Sequence, residues 1–519
     1  SHITHVRPLA VSQGVAEGDV ILWHDWRIRV LSTPGHTDGG VSYLVSRGES
    51  PAVAVTGDLI WGPGQVRDLH SLQRAVTRNG HRLGDYHGFM GAMDAVLASL
   101  EHVLAAGPSR LLPAHGLPMD RPAEAVALLR GRFLAAYHNY VSISALRWYF
   151  PKHFAEEPVD RRTLAQQETH PLPVNVLRLH GTTWALRADD GHALLIDPYC
   201  DEALAKAEAA LADGRIAAYD AIWITHYHYD HLDRAAAARE RFGIPILVDE
   251  AMAEVVSHPE RFFLTCLSPL AATVDRPTRD GQTWRWRSYR LTAYHFPGQS
   301  LYHGGLLAVP DHGPRLFFAG DAVTPCGIDD YCAWNRNWLG RGLGYDHCLR
   351  LLRDLAPDLI FNQHVEAGFR FSEDAYDLML DALREREPLL RALVPWPQAD
   401  FGTDIAWVHA YPYEQACRPG DVVEVALRVR NHAAHPDEVR AEVVLPDGWS
   451  APVAALSAPC APGRESSLVF ALDVPASAAG RVVVPIRVVF GEHALGSCCE
   501  AILRVEASAT ADSAADGKP

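Results

Sequence analysis

The stretch from Asp220 to Asp233, DAIWITHYHYDHLD, places three histidines and an aspartate within six residues. Its first half, AIWIT, is apolar and rich in β-branched side chains, the pattern of a strand buried on both faces. His226, His228, Asp230 and His231 follow at its end. Alternate residues of an extended segment share a face, so His226 and His228 can grip one ion together. Asp230 and His231 lie past the turn and can reach a second ion. Imidazole with carboxylate suits zinc, and it also suits iron or manganese. A lone histidine at a strand end is ordinarily a surface or hydrogen-bonded residue. The density of this group sets it apart from that case.

The HxHxDH string resembles the signature of the metallo-β-lactamase superfamily, and further motifs follow in that family's order. GTTWALRADDGHALLIDPY is similar to the opening hairpin of the fold, with Asp197 ending the strand. FFAGDAV places Asp321 where the family has its bridging aspartate, and IFNQHV places His364 where it has its last histidine. The resemblance implies an αββα sandwich over residues 174–395 holding two divalent ions, zinc first with iron or manganese as alternatives. A bridging carboxylate is physically apt, because it screens two dications about 3.5–4 Å apart. One element departs from the pattern. The family's PGH loop reads YHFPGQSLYHGG here, with Gln299 at the usual histidine position. Either His295 or His303 must then supply the nitrogen. The H-x-P turn, similar to that of the flavodiiron relatives, leans towards His295, while His303, four residues past Gln299, stays open.

The N-terminal region carries the same family's later motifs. STPGHTDGG gives His36, VTGDLI gives Asp58 and LLPAHG gives His115. Upstream stand only His2 and His5, at the wrong spacing for HxHxDH. Residues 1–165 are therefore expected to be the C-terminal half of a second module plus helices, with His36, Asp58 and His115 clustered but no complete two-metal site.

The elements that must hold these groups fall into four regions. Residues 1–165 read as short strands followed by helices near 88–106 and 123–150. A Pro- and charge-rich linker ends near Pro173. Residues 174–395 alternate strands with helices. Residues 402–507 alternate apolar and polar side chains between turn signals, which predicts a β-sandwich similar to immunoglobulin or fibronectin domains and supplying no metal ligand. Residues 508–519, rich in Ala, Ser and Asp, read as a disordered tail. The expected fold class is α/β, an αββα metallo-β-lactamase sandwich with a C-terminal all-β sandwich domain. Hydrophobic residues at 48% and charged residues at 21% support large cores. No apolar run approaches the roughly 20 residues that span a bilayer, so no membrane partner is expected. A net charge of -16 argues against nucleic acid as the main partner. Nine cysteines without a CxxC fit free thiols in a reducing compartment, giving a cytoplasmic expectation. The chain begins at Ser1, so an upstream signal peptide is left open.

These readings predict a metal-dependent hydrolase acting on a small molecule, with self-association left open. Two metals would lower the pKa of a bridging water to about 7 and present hydroxide to an ester, lactone, thioester, amide or phosphodiester. Asp230 would hold the second ion and relay the proton. The stretch TPCGIDDYCAWNRNW after Asp321 offers Asp329, Asp330, Tyr331, Asn335 and Asn337 as a substrate loop. The same residues could equally satisfy turns. Two other classes remain. One is di-iron redox chemistry of the flavodiiron type, against which stand the imidazole of His228, where those relatives usually carry a carboxylate, and the all-β following domain. The other is a non-catalytic binding protein built on the sandwich.

Overall fold

The computed structural model describes residues 10–75, 77–78, 81–82, 90–154, 159–330 and 335–506. His2, His5, Tyr331 and the tail at 508–519 lie outside the described residues. The chain divides into two compact units, one of residues 13–257 with 264–404, the other containing 258–263 and the residues from 405 onward. Among the described residues no helix is long and apolar enough to cross a membrane.

Two sheets carry the candidate site. In the first, the strands Val176–His180, Thr183–Arg187 and His192–Ile196 form an antiparallel meander. The sheet then turns parallel through Ala218–Trp223, Ile246–Asp249 and Arg276–Thr278. Parallel neighbours need crossovers, and the helices Asp201–Ala212 and Ala235–Phe242 supply the first two. The second sheet has seven strands, with Tyr289–His295, Gly304–Pro310, Leu316–Phe318 and Leu359–Phe361 at its middle. Trp184, Ile196 and Trp223 of the first sheet pack with Leu291, Leu306, Phe318 and Phe361 of the second in one apolar cluster. On the other face of the second sheet, Leu307 and Phe317 pack with Leu349, Leu352, Met379 and Leu383 of the helices Gly344–Leu355 and Glu373–Leu393. The strand LFF at 316–318 is thus buried on both faces, which is why it shows no polar alternation. Ser372 starts the long helix by accepting a bond from the amide of Ala375 at 3.2 Å, and Glu373 and Asp374 complement its dipole.

The N-terminal strands form a five-stranded sheet, from Val20–Trp23 through Trp26–Ser32, Val41–Arg47 and Val53–Gly57 to Arg110–Pro113. The helices Met93–Ala105 and Pro122–Ser142 share a core with it that includes Leu31, Ala54, Val96, Leu111 and Phe133. That core runs on into Leu390, Leu393 and Val394 of the central region. The amide of Asn139 donates to the Ala382 carbonyl at 2.9 Å and accepts from Arg386 Nε at 2.9 Å. The N-terminal and central regions therefore lie in one compact unit.

The segment after Pro122–Ser142 crosses the loop that follows Asp321. Ala145 N donates to the Ile328 carbonyl at 2.7 Å, Ile328 N to Ile143 at 2.9 Å and Gln167 N to Pro325 at 2.8 Å. Gly327 makes this approach feasible, with φ at +131° and no room for a Cβ against the Ile143 carbonyl.

The second unit is built from a three-stranded sheet, Val408–Tyr411, Val422–Arg430 and Glu465–Asp473, and a five-stranded sheet centred on Gly480–Phe490 and His493–Val505. Along Val422–Arg430 burial alternates with the side-chain period of two, so Val425, Leu427 and Val429 are enclosed.

Replacing Gly327 by alanine should cost about 1–3 kcal/mol, from overpacking and from a φ that side chains rarely adopt. Urea denaturation of Gly327→Ala against the parent protein measures it, and an unchanged midpoint would show that the crossing relaxes without cost.

Candidate metal centre

The strand Ala218–Trp223 ends among the ligand candidates because its apolar residues are enclosed between its neighbours and the second sheet. Past it, His226, His228 and His231 are buried, and Asp230 lies in the single turn of the short helix Tyr229–Leu232. Asp321 arrives after the strand Leu316–Phe318 and His364 after Leu359–Phe361, two parallel strands whose ends lie side by side. Asp321 Oδ2 stands 3.7 Å from His226 Nε2, 3.3 Å from His231 Nε2 and 3.2 Å from His364 Nε2. Asp230 Oδ2 is 3.3 Å from His364 Nε2 and 3.8 Å from His231 Nε2. Two overlapping sets of ligand atoms result, His226–His231–Asp321 and Asp230–His231–His364, each set within 4.8 Å.

His303 joins this group and His295 does not. His303 forms an isolated backbone bridge with His226, and the two rings stack 4.9 Å apart. Neither ring nitrogen of His303 has a hydrogen-bond partner, although the residue is wholly buried. Gly320, at φ +53°, leaves space for this ring, since a Cβ there would stand 2.6 Å from His303 Nε2. His295 lies in the strand Tyr289–His295, and its Nδ1 bonds Asp249 Oδ1 at 3.0 Å. Gln299 is buried with its Oε1 unpartnered.

Three of the rings are held by their second nitrogens. His231 Nδ1 bonds Asp197 Oδ2 at 2.9 Å. His226 Nδ1 bonds Thr225 Oγ1 at 3.0 Å, and that hydroxyl donates to Asp197 Oδ2 at 2.8 Å. His228 Nε2 bonds Asn335 Oδ1 at 3.3 Å. Each bond favours a proton on the outer nitrogen, so the inner one is the atom that would face an ion, the arrangement metal-ligating histidines use. Asp197 adopts φ +51°, an uncommon conformation for a residue other than glycine, and is wholly buried. It was noted in the sequence only as a strand end. The signal for Thr225 is its place next to His226, and that for Asp197 is the end of the opening hairpin.

The electrostatics favour a cation. Burial pushes His228 down to about 4 and His303 to about 3, and it takes His226 well below its usual value. These rings are neutral, as ligands must be. Burial also opposes charge on His231 and His364, but the carboxylates of Asp321 and Asp230 outweigh it, raising His231 well above normal and His364 to about 10. Burial likewise works against the two carboxylates, yet the neighbouring histidines hold Asp321 well below the usual range and Asp230 at about 2. The donors fit divalent metal on a structural ground. His226 Nε2, His231 Nε2, both nitrogens of His303 and Asp321 Oδ1 are buried without a hydrogen-bond partner. Such groups are expensive unless something coordinates them.

The loop after Asp321 is tied inward. Asp329 is buried and accepts from the Tyr149 hydroxyl at 3.1 Å. Asp330 pairs with Arg386, Asn335 meets His228, and Asn337 donates to the Gly298 carbonyl at 2.6 Å. In the N-terminal region His115 Nδ1 lies 2.8 Å from Asp58 Oδ1, and His36 Nε2 lies 3.8 Å from Asp58 Oδ2. Arg67 reaches the same carboxylate at 3.4 Å.

Residues 176–364 match the family model of the metallo-beta-lactamase superfamily. This stretch is a domain of that superfamily within a mixed α/β chain. No curated protein matches the chain. Among solved structures, the class B3 di-zinc metallo-beta-lactamase LRA-12 from an Alaskan soil metagenome is 15% identical, the match covering 42% of this chain and 93% of that one at a TM-score of 0.30. The FEZ-1 metallo-beta-lactamase from Legionella gormanii is 14% identical, covering 42% and 95% at 0.31. The subclass B3 enzyme BJP-1 of Bradyrhizobium japonicum is 13% identical, covering 42% and 92% at 0.28.

Substituting His303 by alanine should remove a ligand, so zinc retained after dialysis should fall, whereas His295→Ala should retain it. Elemental analysis of the two folded variants decides between them, and the reverse result would return the role to His295.

Proposed function

We propose that this chain is a metal-dependent hydrolase whose chemistry resides in the module at 174–395. The observation that carries the reading is that ligand atoms of His226, His231 and Asp321 lie within 4.8 Å of one another while His226 Nε2, His231 Nε2 and Asp321 Oδ1 are buried without a hydrogen-bond partner. His226, His228 and His303 would hold one divalent ion, Asp230, His231 and His364 the other, with Asp321 between them. Zinc is the first choice, and iron or manganese are the alternatives. Such ions polarise a carbonyl or phosphoryl oxygen and lower the pKa of a water, so no serine or cysteine nucleophile is required.

The chain's own side chains supply orientation and proton handling. Asp197, Thr225 and Asn335 fix the ring tautomers. Asp230 is the more accessible of the two carboxylates in the cluster, with its side chain 30% exposed against 6% for Asp321. This exposure supports reading Asp230 as the residue that passes a proton between the centre and an entering small molecule. The substrate is an ester, lactone, thioester, amide or phosphodiester. The N-terminal sheet is read as the second half of another such module, and the unit from 405 onward as an immunoglobulin- or fibronectin-like accessory sandwich. The imidazole of His228 and the all-β unit that follows both count against flavodiiron-type redox chemistry.

Asp230→Asn should lower kcat by orders of magnitude while the circular dichroism spectrum is retained, since the change disturbs an ion and not the core. Chelation should abolish activity, and added zinc or manganese should restore it. If the metal-loaded protein consumes oxygen with an electron donor and hydrolyses nothing in a broad ester, lactone and phosphodiester screen, the redox reading replaces this one.

A further inference from the structure

The loops bearing Asp321 and His364 follow adjacent strands and are tied by Asn362, and a further tie comes from outside the matched domain. Tyr149 ends the short helix Leu146–Tyr149 in the segment that crosses the Asp321 loop. Its hydroxyl donates to Asp329 Oδ2 at 3.1 Å and accepts from Asn362 Nδ2 at 3.2 Å. Asn362 in turn accepts from the backbone amide of His364 through Oδ1 at 2.7 Å, and its Nδ2 also donates to the Val323 carbonyl at 3.0 Å. The Tyr149 ring meets the His364 ring edge-on, with centroids 6.3 Å apart at 84°. One side chain thus touches the loop after Asp321, the turn that presents His364 and the His364 ring itself. The backbone bonds of Ile143 and Ala145 to Ile328 hold its helix in place.

We infer that Tyr149 is a positioning residue for the metal centre, fixing His364 relative to Asp321 so that both reach one ion. The inference rests on the proposed metal-binding reading of the cluster. It has a consequence for what the functional unit is. The N-terminal region serves the central site directly, and the site is not self-contained within residues 176–364. Ligand geometry for a small dication tolerates displacements of only a few tenths of an ångström. Loss of the hydroxyl removes one of the two acceptors of Asn362 Nδ2 and leaves the Val323 carbonyl alone to fix the amide that receives the His364 N–H.

The test uses the full chain with Tyr149→Phe, which keeps the ring and removes the bridging oxygen. Zinc stoichiometry after dialysis and zinc affinity by competition with a chromophoric chelator are read together. The parent protein should take up two equivalents. In Tyr149→Phe one equivalent should weaken on the order of 10–100-fold, the range typical for partners that orient a ligand, while the other is unchanged. Asn139→Ala, which cuts the helix contact to Ala382 and Arg386 instead, is the control for a merely structural effect. It should lower Tm and leave both affinities unmoved. Should Tyr149→Phe not accumulate as folded protein, Asp329→Ala removes the acceptor of the same hydroxyl and is measured in the same way. Two tight zinc ions in the parent with identical affinities in the variant would overturn the role of Tyr149 alone. A parent protein that takes up no zinc, iron or manganese would overturn the metal-binding reading and this inference with it.

Discussion

A carboxylate held out of water must be balanced, and Asp321 is held out of water. Its residue is 4% exposed, its Oδ2 faces three histidines and its Oδ1 has no hydrogen-bond partner. Uncompensated burial of such a charge costs several kcal/mol even after relaxation. No arginine or lysine pairs with it among the described residues, so the balancing charge falls to protons on the histidines or to cations that replace them. The surrounding structure follows from that requirement. Gly320 gives up its side chain to admit the His303 ring, and Asp197 takes a left-handed backbone to bring a second carboxylate behind His231 and Thr225.

Asp197 answers a different need from Asp321. Its oxygens accept from the Thr225 amide at 2.8 Å, the Thr225 hydroxyl at 2.8 Å and His231 Nδ1 at 2.9 Å. It is therefore satisfied by donors, whereas Asp321 is left with vacant acceptor capacity. Two buried carboxylates on opposite nitrogens of the His231 ring thus differ in what they ask of their surroundings. One orients rings, and the other demands a cation. A rigid frame is necessary for both. The apolar cluster between the sheets provides it, because enclosed side chains such as Trp184, Trp223 and Phe361 leave the strand ends little freedom.

The histidine run, Asp321 and His364 were legible in the sequence because each closes a short apolar strand and keeps its local context. The choice between His295 and His303 was not. Both sit near the altered loop, and only strand pairing places His303 beside His226, 77 positions earlier by their numbers. Asn335 was read as part of a substrate loop, and its contact with His228 spans 107 residues. Tyr149 carries no motif, and its partner Asn362, inside IFNQHV, lies 213 residues away. Local pattern registers what a strand end presents. Partners that hold a ligand from behind are set by how distant loops meet, which single-sequence periodicity does not encode. For the same reason, residues 1–165 and 174–395 read as separate modules although one core runs through Phe133 and Leu393.

The N-terminal His36, Asp58 and His115 test how far motif order alone determines chemistry. Their motifs resemble those around Asp321 and His364, and they gather around one carboxylate. Yet His115 is 53% exposed at its side chain, and Arg67 stands 3.4 Å from Asp58. A solvated ring already has partners in water, and a guanidinium already neutralises the carboxylate. Neither leaves the unmet demand that surrounds Asp321. Burial that leaves Asp321 Oδ1 and the facing ring nitrogens without hydrogen-bond partners, more than the identity of the side chains, is therefore what sets the central cluster apart from the N-terminal one.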